Sequence, residues 1–268
     1  MIKLDMPAPS ERQRLFMTDK HRYVIFGGAR GGGKSWALRW KAVLMCLRYP
    51  KIKILIMRRT YPELVANHIT PLRSILHGIA RYNGTEHEYR FQNGSSIKFM
   101  YCSRDDDLTK IQGHEYDVIM IDEATNMTEF QIKAIDACVR GVNGLPKRMY
   151  MTCNPGGPGH GYIKRLKDGH FKPGEEPEKY TFIKSLVTDN KALMAEQPDY
   201  IKQLMALPPK LRSAWLEGNW DVYEGQFFEE FRDDPDHYDD GRWTHVIPAM
   251  KEIPRGWNIY RSFDWGYG

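Results

Sequence analysis

Short apolar runs alternate with amphipathic segments along most of the chain. Five runs are apolar enough for strands buried in a sheet: residues 22–26, 51–57, 117–122, 148–152 and 180–187. Four segments have the spacing of helices: residues 10–18, 35–49, 71–82 and 128–139. Strands that alternate with helices predict an α/β fold with a mostly parallel central sheet flanked by helices. Residues 86–91 and 95–101 alternate around Asn93-Gly94, which predicts a hairpin.

A glycine-rich loop directly follows the first apolar run. Residues 28–35 read Gly-Ala-Arg-Gly-Gly-Gly-Lys-Ser and fit the pattern G-x-x-x-x-G-K-S/T at each fixed position. The glycines let backbone N–H groups surround phosphate oxygens, and the N-terminus of the next helix adds a positive dipole end. Lys34 can reach the β- and γ-phosphates, and Ser35 can ligate Mg²⁺. The predicted nucleotide-binding residues of this loop are Gly28, Ala29, Arg30, Gly31, Gly32, Gly33, Lys34, Ser35 and Trp36.

Two carboxylates, Asp122 and Glu123, stand at the end of the run 117–122. Parallel strands present functional residues at their C-terminal ends. Asp122 is therefore predicted to hold Mg²⁺ through its water shell, and Glu123 to orient and deprotonate the attacking water. A glutamate directly after the aspartate is typical of P-loop ATPases that carry their own base (the ASCE type), whereas small GTPases use a glutamine elsewhere. ATP with Mg²⁺ is therefore favoured over GTP.

Composition narrows the class of protein. The 268 residues suffice for one large α/β domain with an appendage. The cysteines (Cys46, Cys102, Cys138 and Cys153) form no C-x-x-C pair. This indicates that they are reduced and structural and that the protein is intracellular. The sequence shows neither a signal-peptide pattern nor an apolar run of about 18 residues, so we expect no export and no membrane span.

The net charge of +5 is unevenly distributed. Residues 221–240 hold nine acidic residues and one arginine, so the other positions carry 38 Lys and Arg against 25 Asp and Glu, or +13. A basic body with an acidic strip fits a polyanionic partner such as nucleic acid. An ordinary basic surface explains the charge equally well.

A further motif, Thr-Cys-Asn-Pro-Gly-Gly-Pro-Gly-His at residues 152–160, follows the run at 148–152. Its Asn154 is placed to hydrogen-bond the γ-phosphate or the attacking water. The P-loop, Ile-Asp-Glu-Ala at 121–124, this motif and Leu-Glu-Gly-Asn-Trp-Asp at 216–221 occur in an order and spacing that resemble the large terminase subunit of tailed bacteriophages. The resemblance covers nearly the whole chain.

The resemblance implies a genome-packaging motor. Its ATPase domain would translocate double-stranded DNA into a procapsid, and an RNase H-like nuclease domain would cut the concatemer. The implied partners are the portal protein, the small terminase subunit and further copies in a ring on the procapsid, in the cytoplasm of the infected bacterial host and not in the mature virion. We accordingly expect a motor domain at 1–217, a lid or linker segment at 218–255 and a first nuclease strand at 256–268.

Individual roles also follow from the resemblance. Gln13 matches the adenine-reading glutamine upstream of the P-loop, and its amide can pair with N6 and N7 of the base. Arg30 matches an arginine that contacts the γ-phosphate, and Asn154 matches the coupling motif. Arg140 resembles the finger donated to a neighbour's ATP, although a solvated arginine at a helix C-terminus explains it as well. With Glu123, these residues form the predicted catalytic set: Glu123, Arg140, Arg30 and Asn154.

The C-terminal residues 260–268 resemble the first strand of the nuclease, with Asp264 as a metal ligand. Two-metal cleavage needs several carboxylates, and the chain stops at Gly268. We therefore interpret the chain as a truncated protein without nuclease activity. A structural strand end is the alternative for Asp264.

The residues that contact DNA are less defined. Arg58, Arg59, Arg104 and Lys110 lie near predicted strand ends, and solvated surface charge explains each of them singly. A helicase- or recombinase-like DNA-dependent ATPase is the main alternative function, and a P-loop switch with little turnover is another. Stimulation by duplex or by single-stranded DNA distinguishes a packaging motor from a helicase.

Overall fold

The computed structural model describes residues 4–222, 237, 238, 240, 244, 245, 252, 254–258 and 260. The chain divides into two units, Met1–Glu224 and Gly225–Gly268. In the second unit, a ring nitrogen of His237 lies 3.2 Å from the carboxylate of Asp240. All helices and strands given below belong to the first unit.

Within residues 4–222, eight strands form one sheet. They are β1 (Tyr23–Gly28), β2 (Lys53–Arg58), β3 (Ala80–Asn83), β4 (Glu88–Phe91), β5 (Ser96–Tyr101), β6 (Val118–Ile121), β7 (Arg148–Cys153) and β8 (Tyr180–Ser185). Their order is β3-β4-β5-β2-β6-β7-β1-β8. Strands β5, β2, β6, β7, β1 and β8 run parallel, while β3 and β4 extend one edge antiparallel. The predicted mostly parallel sheet and the hairpin at Asn93-Gly94 are confirmed.

The connections between the strands are mostly helical. The α-helices are α1 (Glu11–Thr18), α2 (Lys34–Arg48), α3 (Tyr61–Leu64), α4 (Thr70–Ile75), α5 (Glu129–Asp136), α6 (His160–Lys167), α7 (Lys191–Glu196), α8 (Tyr200–Met205) and α9 (Pro209–Arg212). Two π-helical turns, Val65–Ile69 and Ser213–Glu217, continue α3 and α9. Short 3₁₀ turns lie at Asp105–Lys110, Ala124–Asn126, Pro177–Lys179 and Val187–Asp189. Among the described residues, no helix is long and apolar enough to cross a membrane.

Both faces of the sheet are covered, which explains the continuous apolar runs in the sequence. Successive strand residues point to opposite faces, so Ile54 and Ile56 join one core cluster while Leu55 and Met57 join the other. Side chains of α1 to α4 contribute to the first cluster, and side chains of α5 and α6 to the second. All four cysteines are buried and free, in agreement with the structural role predicted for them.

The prediction of one helix over 71–82 is wrong in its second half. The helix ends at Ile75, and Gly78 has a φ of 73°, a backbone conformation that glycine adopts most readily. Residues 80–83 instead form β3, in which Tyr82 packs on Tyr89 of β4 with ring centroids 4.7 Å apart. Cross-strand packing thus outweighs the local helical pattern.

Candidate active site

The glycine loop joins the C-terminal end of β1 to the N-terminus of α2. Gly31 and Gly33 have φ values of 79° and 72°, which glycine adopts without strain. A Cβ atom at Gly33 would lie 2.3 Å from Nε2 of Gln13, so a larger residue would displace the end of that side chain. Because α2 begins at Lys34, its N-terminal N–H groups and dipole face the loop. The loop borders a cavity of about 300 Å³ that is lined by residues 30–36, Glu123, Asn154 and Tyr200.

The side chain of Lys34 lies inside the loop. Lys34 is only 7 % exposed, and its Nζ donates a hydrogen bond to the carbonyl of Ala29. Burial lowers the pKa of Lys34, and the nearby carboxylate of Glu123 opposes that shift. A buried ammonium is costly unless an anion compensates for it. A nucleotide phosphate is an anion of the required kind.

Two distant segments support the first half of the loop from outside. The N–H of Ala29 donates to the carbonyl of Ser185 at the end of β8, over 2.8 Å. The N–H of Arg30 donates to the carbonyl of Trp215, also over 2.8 Å. The Arg30 guanidinium stacks on the Trp215 ring, 3.4 Å from its centroid. Arg30 therefore borders the cavity, as its predicted γ-phosphate contact requires, with its charge held on an aromatic ring.

Gln13 also lies beside the loop, although it is distant from it in sequence. It is the third residue of α1, where its Oε1 accepts from the Ser10 N–H over 2.8 Å and its Nε2 donates to the Gly33 carbonyl over 3.2 Å. Each end of the amide thus makes one hydrogen bond within the protein and retains one further donor or acceptor position. Trp36, which lines the cavity, packs on Trp40 with centroids 6.0 Å apart.

Asp122 is the centre of a buried network at the end of β6. Its Oδ1 accepts from Ser35 Oγ over 3.0 Å and from Thr152 Oγ1, and its Oδ2 lies 2.9 Å from both Arg58 Nε and His68 Nε2. Burial by itself raises the pKa of a carboxyl group, but His68, Arg58 and Thr152 together lower the pKa of Asp122 below its ordinary value. Burial lowers the pKa of His68, and the charge of Asp122 opposes that shift. Asp122 is therefore ionised and rigidly held.

Glu123 lies between the network and the cavity. Its backbone is left-handed, with a φ of 60°, which is uncommon for a residue other than glycine. Its N–H donates to Thr152 Oγ1 over 3.2 Å, and Asn154 Nδ2 donates to both of its carboxylate oxygens, each over 3.0 Å. Burial raises the pKa of Glu123, and the charge of Asp122 adds to the shift. A carboxylate with a raised pKa is a stronger base.

A second cavity, also of about 300 Å³, is bordered by Glu123 as well. Its lining residues come from the P-loop, the end of β2, α3, the turn after β6, the loop after β7 and the π turn at 213–217. They are Arg30, Arg58, Glu63, Glu123, Thr125, Asn126, Asn154, Pro155, Gly156, Gly157 and Trp215. Glu123, Arg30 and Asn154 line both cavities. These three predicted catalytic residues are therefore brought together.

The remaining predicted site residues lie elsewhere. Arg140 follows α5 on the surface, outside both cavities, with its Nε 3.8 Å from a carboxylate oxygen of Glu115. Within one subunit, Arg140 therefore lines neither cavity. Asp264, the predicted nuclease ligand, lies outside the described residues.

Three residues of the Asp122 network were not predicted as site residues. Arg58 is only 8 % exposed and its Nε faces Asp122, so the interpretation of Arg58 as a solvated surface charge is wrong. Arg58 and Thr152 lie at the C-terminal ends of β2 and β7, the strands beside β6, and this position is a signal that sequence reasoning could have used. His68 lies on a π turn, and nothing in the sequence pattern indicates its contact.

The oxygen atoms around Ser35 fit Mg²⁺. Ser35 Oγ and Asp122 Oδ1 are 3.0 Å apart at the N-terminus of α2, and hard oxygen donors are the ligands that Mg²⁺ prefers. Among the described residues, no group of three or more His, Cys, Asp or Glu side chains could hold a metal ion. Mg²⁺ at nucleotide sites is usually bound by one or two side chains together with phosphates and water.

The glycine loop, the parallel sheet and the Ser35–Asp122 pair together define a P-loop NTPase fold. Residues 25–232 match the family model of the N-terminal part of the terminase large subunit, T4-like virus type. The chain belongs to this family.

Solved structures with the same fold are also large terminases. That of a thermophilic bacteriophage, in complex with ADP, has a TM-score of 0.63 and 18 % identity, over 80 % of this chain and 54 % of that one. The ATPase domain of the Thermus phage P74-26 large terminase has a TM-score of 0.58 and 17 % identity, over 80 % of this chain and 94 % of that domain. This chain thus spans about half the length of the first of these two proteins. No curated protein matches the chain.

Proposed function

We propose that this chain hydrolyses ATP with Mg²⁺ and that hydrolysis drives double-stranded DNA into a procapsid. One observation carries the proposal. The side chains of Ser35, Asp122, Glu123 and Asn154 lie close together beside the P-loop, at the carboxyl edge of the sheet. Membership of the terminase large-subunit family supports the motor role. The large terminase of the thermophilic bacteriophage was solved with ADP and with ATP-γ-S, which supports nucleotide binding at the equivalent fold.

Each of these residues has a separate role in the proposed hydrolysis. The P-loop N–H groups and Lys34 bind the phosphates. Ser35 and Asp122 would hold Mg²⁺, which would neutralise charge on the phosphate oxygens. Glu123 accepts a proton from the attacking water, and Asn154 keeps both of its oxygens in place. Arg30, released from Trp215, reaches the γ-phosphate.

A neighbouring subunit completes the site in this proposal. Arg140 is exposed and lies outside its own cavity, so its guanidinium is accessible to a second copy of the chain. An arginine supplied in trans stabilises charge that develops on the transferred phosphoryl group. The chain would therefore work as a homo-oligomeric ring on the procapsid.

The remaining partners are proposed on the same basis. They are double-stranded DNA, the portal protein and the small terminase subunit, in the cytoplasm of the infected host. The basic body outside residues 221–240 suits the phosphates of DNA. The division into a motor domain at 1–217, a linker at 218–255 and the beginning of a nuclease domain at 256–268, with cutting by a longer protein, also remains a proposal.

ATP hydrolysis measured with different nucleic acids tests the function. The 268-residue chain should hydrolyse ATP only with Mg²⁺, and double-stranded DNA should raise the rate more than single-stranded DNA of the same length. A larger increase with single strands would favour a helicase- or recombinase-like ATPase. Tight ATP binding without turnover under all of these conditions would favour a switch and overturn the motor proposal.

A further inference from the structure

His160 joins two parts of the molecule through its two ring nitrogens. It is the first residue of α6 and is 6 % exposed. The N–H of Gly156 lies 2.9 Å from Nδ1, and Nε2 lies 2.9 Å from the carbonyl oxygen of Trp220. A backbone N–H can only donate and a carbonyl can only accept. The ring is therefore neutral, with its proton on Nε2, and burial favours this form by lowering the pKa of His160.

On the Gly156 side, the bond reaches the loop that positions the proposed base. The loop begins at Asn154, which holds Glu123. Thr125, two residues after Glu123, donates its Oγ1 proton to the Asn154 carbonyl over 2.9 Å, and its own carbonyl accepts from the Gly159 N–H over 2.9 Å. A Cβ atom at Gly159 would lie 2.3 Å from a backbone oxygen. The loop and the turn after Glu123 therefore pack too closely to move independently.

On the other side, the bond reaches Trp220, near the end of the first unit of the chain. Trp220 is 3 % exposed and stacks on the His160 ring, with centroids 5.3 Å apart. It also meets Phe182 edge-on at 5.9 Å. The preceding π turn touches the P-loop through Trp215 and Arg30. Residues 213–220 thus contact the nucleotide loop at one end and His160 at the other.

We propose that His160 is a positioning residue that links the loop carrying Asn154 to the chain at Trp220, so that a change around Glu123 shifts residues 213–222. The inference rests on the proposed ATP site. Packed interiors respond to small displacements by switching between discrete arrangements. A ring with a specific hydrogen bond at each end transmits a displacement that loose contact would absorb.

Two substitutions each remove one end of the link. In His160→Asn the amide oxygen can take the place of Nδ1, which keeps the acceptor for Gly156 and loses the bond to Trp220. In His160→Gln the amide nitrogen can take the place of Nε2, which keeps the donor to Trp220 and loses the acceptor for Gly156. His170→Gln, at an exposed position after α6, is the matched control.

Hydrogen exchange measured by mass spectrometry on the full 268-residue chain tests the link. In the wild type and in His170→Gln, exchange over residues 213–222 should differ between the ATP-γ-S and ADP states. In both His160 variants this difference should be lost, while ATP-γ-S affinity and the thermal midpoint stay near wild type. A difference that persists in either variant overturns the inference.

The wild type gives a second test that does not depend on the variants. Exchange over residues 154–160 and over 213–222 should change together with the same dependence on ATP-γ-S concentration. A change confined to residues 154–160 overturns the link but leaves the ATP site intact. Absence of ATP-γ-S binding by the wild type would overturn the proposed function as well.

Discussion

The two sides of the nucleotide cavity are built by different means. On the P-loop side, glycine conformations and main-chain hydrogen bonds to Ser185 and Trp215 hold the loop. On the hydrolytic side, side chains from β2, β6, β7 and a π turn converge on Asp122 and Glu123. Binding should therefore depend largely on backbone shape together with Lys34 and Gln13, whereas turnover should depend on the side chains of the hydrolytic side. Substitutions on the two sides should separate affinity from rate.

Removal of Arg140 tests whether the hydrolytic side is complete within one chain. An arginine finger typically contributes about 10³–10⁵ in rate, so Arg140→Ala should lower kcat by that order without a change in ATP affinity. Mixing Arg140→Ala with Glu123→Gln subunits should restore activity, because some interfaces then pair an intact base with an intact finger. Arg81→Ala, at an exposed position of β3, is the control. A mixture that stays inactive while the wild type assembles would assign the finger elsewhere, with Arg30 next.

Glu123→Gln separates rate from affinity on the hydrolytic side itself. The amide keeps the shape of the side chain but cannot accept a proton from water. General-base catalysis typically contributes about 10²–10⁴, so kcat should fall by that order while the Kd for ATP stays close to wild type. Glu178→Gln, on the surface, should leave both unchanged. Near-normal turnover in Glu123→Gln would contradict the assignment.

Thr152→Val removes one hydroxyl of the buried network at constant shape. The change leaves the Glu123 N–H and one contact of Asp122 without a partner. An unsatisfied buried group costs about 1–3 kcal/mol, so the free energy of unfolding should fall by that amount and kcat should fall with it. Thr181→Val on β8 is the control for the general effect of replacing a strand threonine with valine. Equal denaturation midpoints for the two variants would show that the network contributes no stability.

The raised pKa of Glu123 predicts a pH limit on turnover. A raised carboxyl pKa means that the group takes up its proton at a higher pH than an ordinary glutamate, so the active base is lost sooner as pH falls. Below that pKa, kcat should drop about tenfold per pH unit. The acid limb of the kcat profile should therefore lie above the ordinary glutamate pKa of 4.5. A profile that stays flat down to pH 4.5 in stable protein excludes the shift.

We expect the smallest effect, a change in ATP affinity, from Gln13→Ala on the P-loop side of the cavity. The loss of a hydrogen bond of about 1 kcal/mol should weaken ATP binding about fivefold and reduce the preference for ATP over GTP, with kcat unchanged. Gln131→Ala is a matched control, because Gln131 caps α5 as Gln13 caps α1. If both variants retain the same ATP-to-GTP ratio of affinities as the wild type, Gln13 does not read the base.

The contrast between the two sides also explains what the sequence predicts. The P-loop is one continuous segment, and Asp122 and Glu123 are adjacent in the sequence. Local spacing therefore identifies each of these two motifs. Arg58 and Thr152 belong to the site because β2 and β7 flank β6, and strand order depends on packing of the whole sheet. His68 depends on a π turn that no periodicity indicates. In the same way β3 exists because it pairs with β4, which the helical pattern at 71–82 does not show.

The left-handed backbone at Glu123 places folding and chemistry in conflict at one position. Glycine or asparagine would occupy that conformation with less strain, and selection for heat resistance alone would favour them. A glutamate persists there at a cost of about 1–3 kcal/mol that surrounding contacts must compensate. Substitution by glycine should relieve this strain and abolish hydrolysis, but it also removes the carboxylate that accepts from Asn154. Relief of backbone strain and loss of these hydrogen bonds therefore act in opposite directions on the stability of that variant.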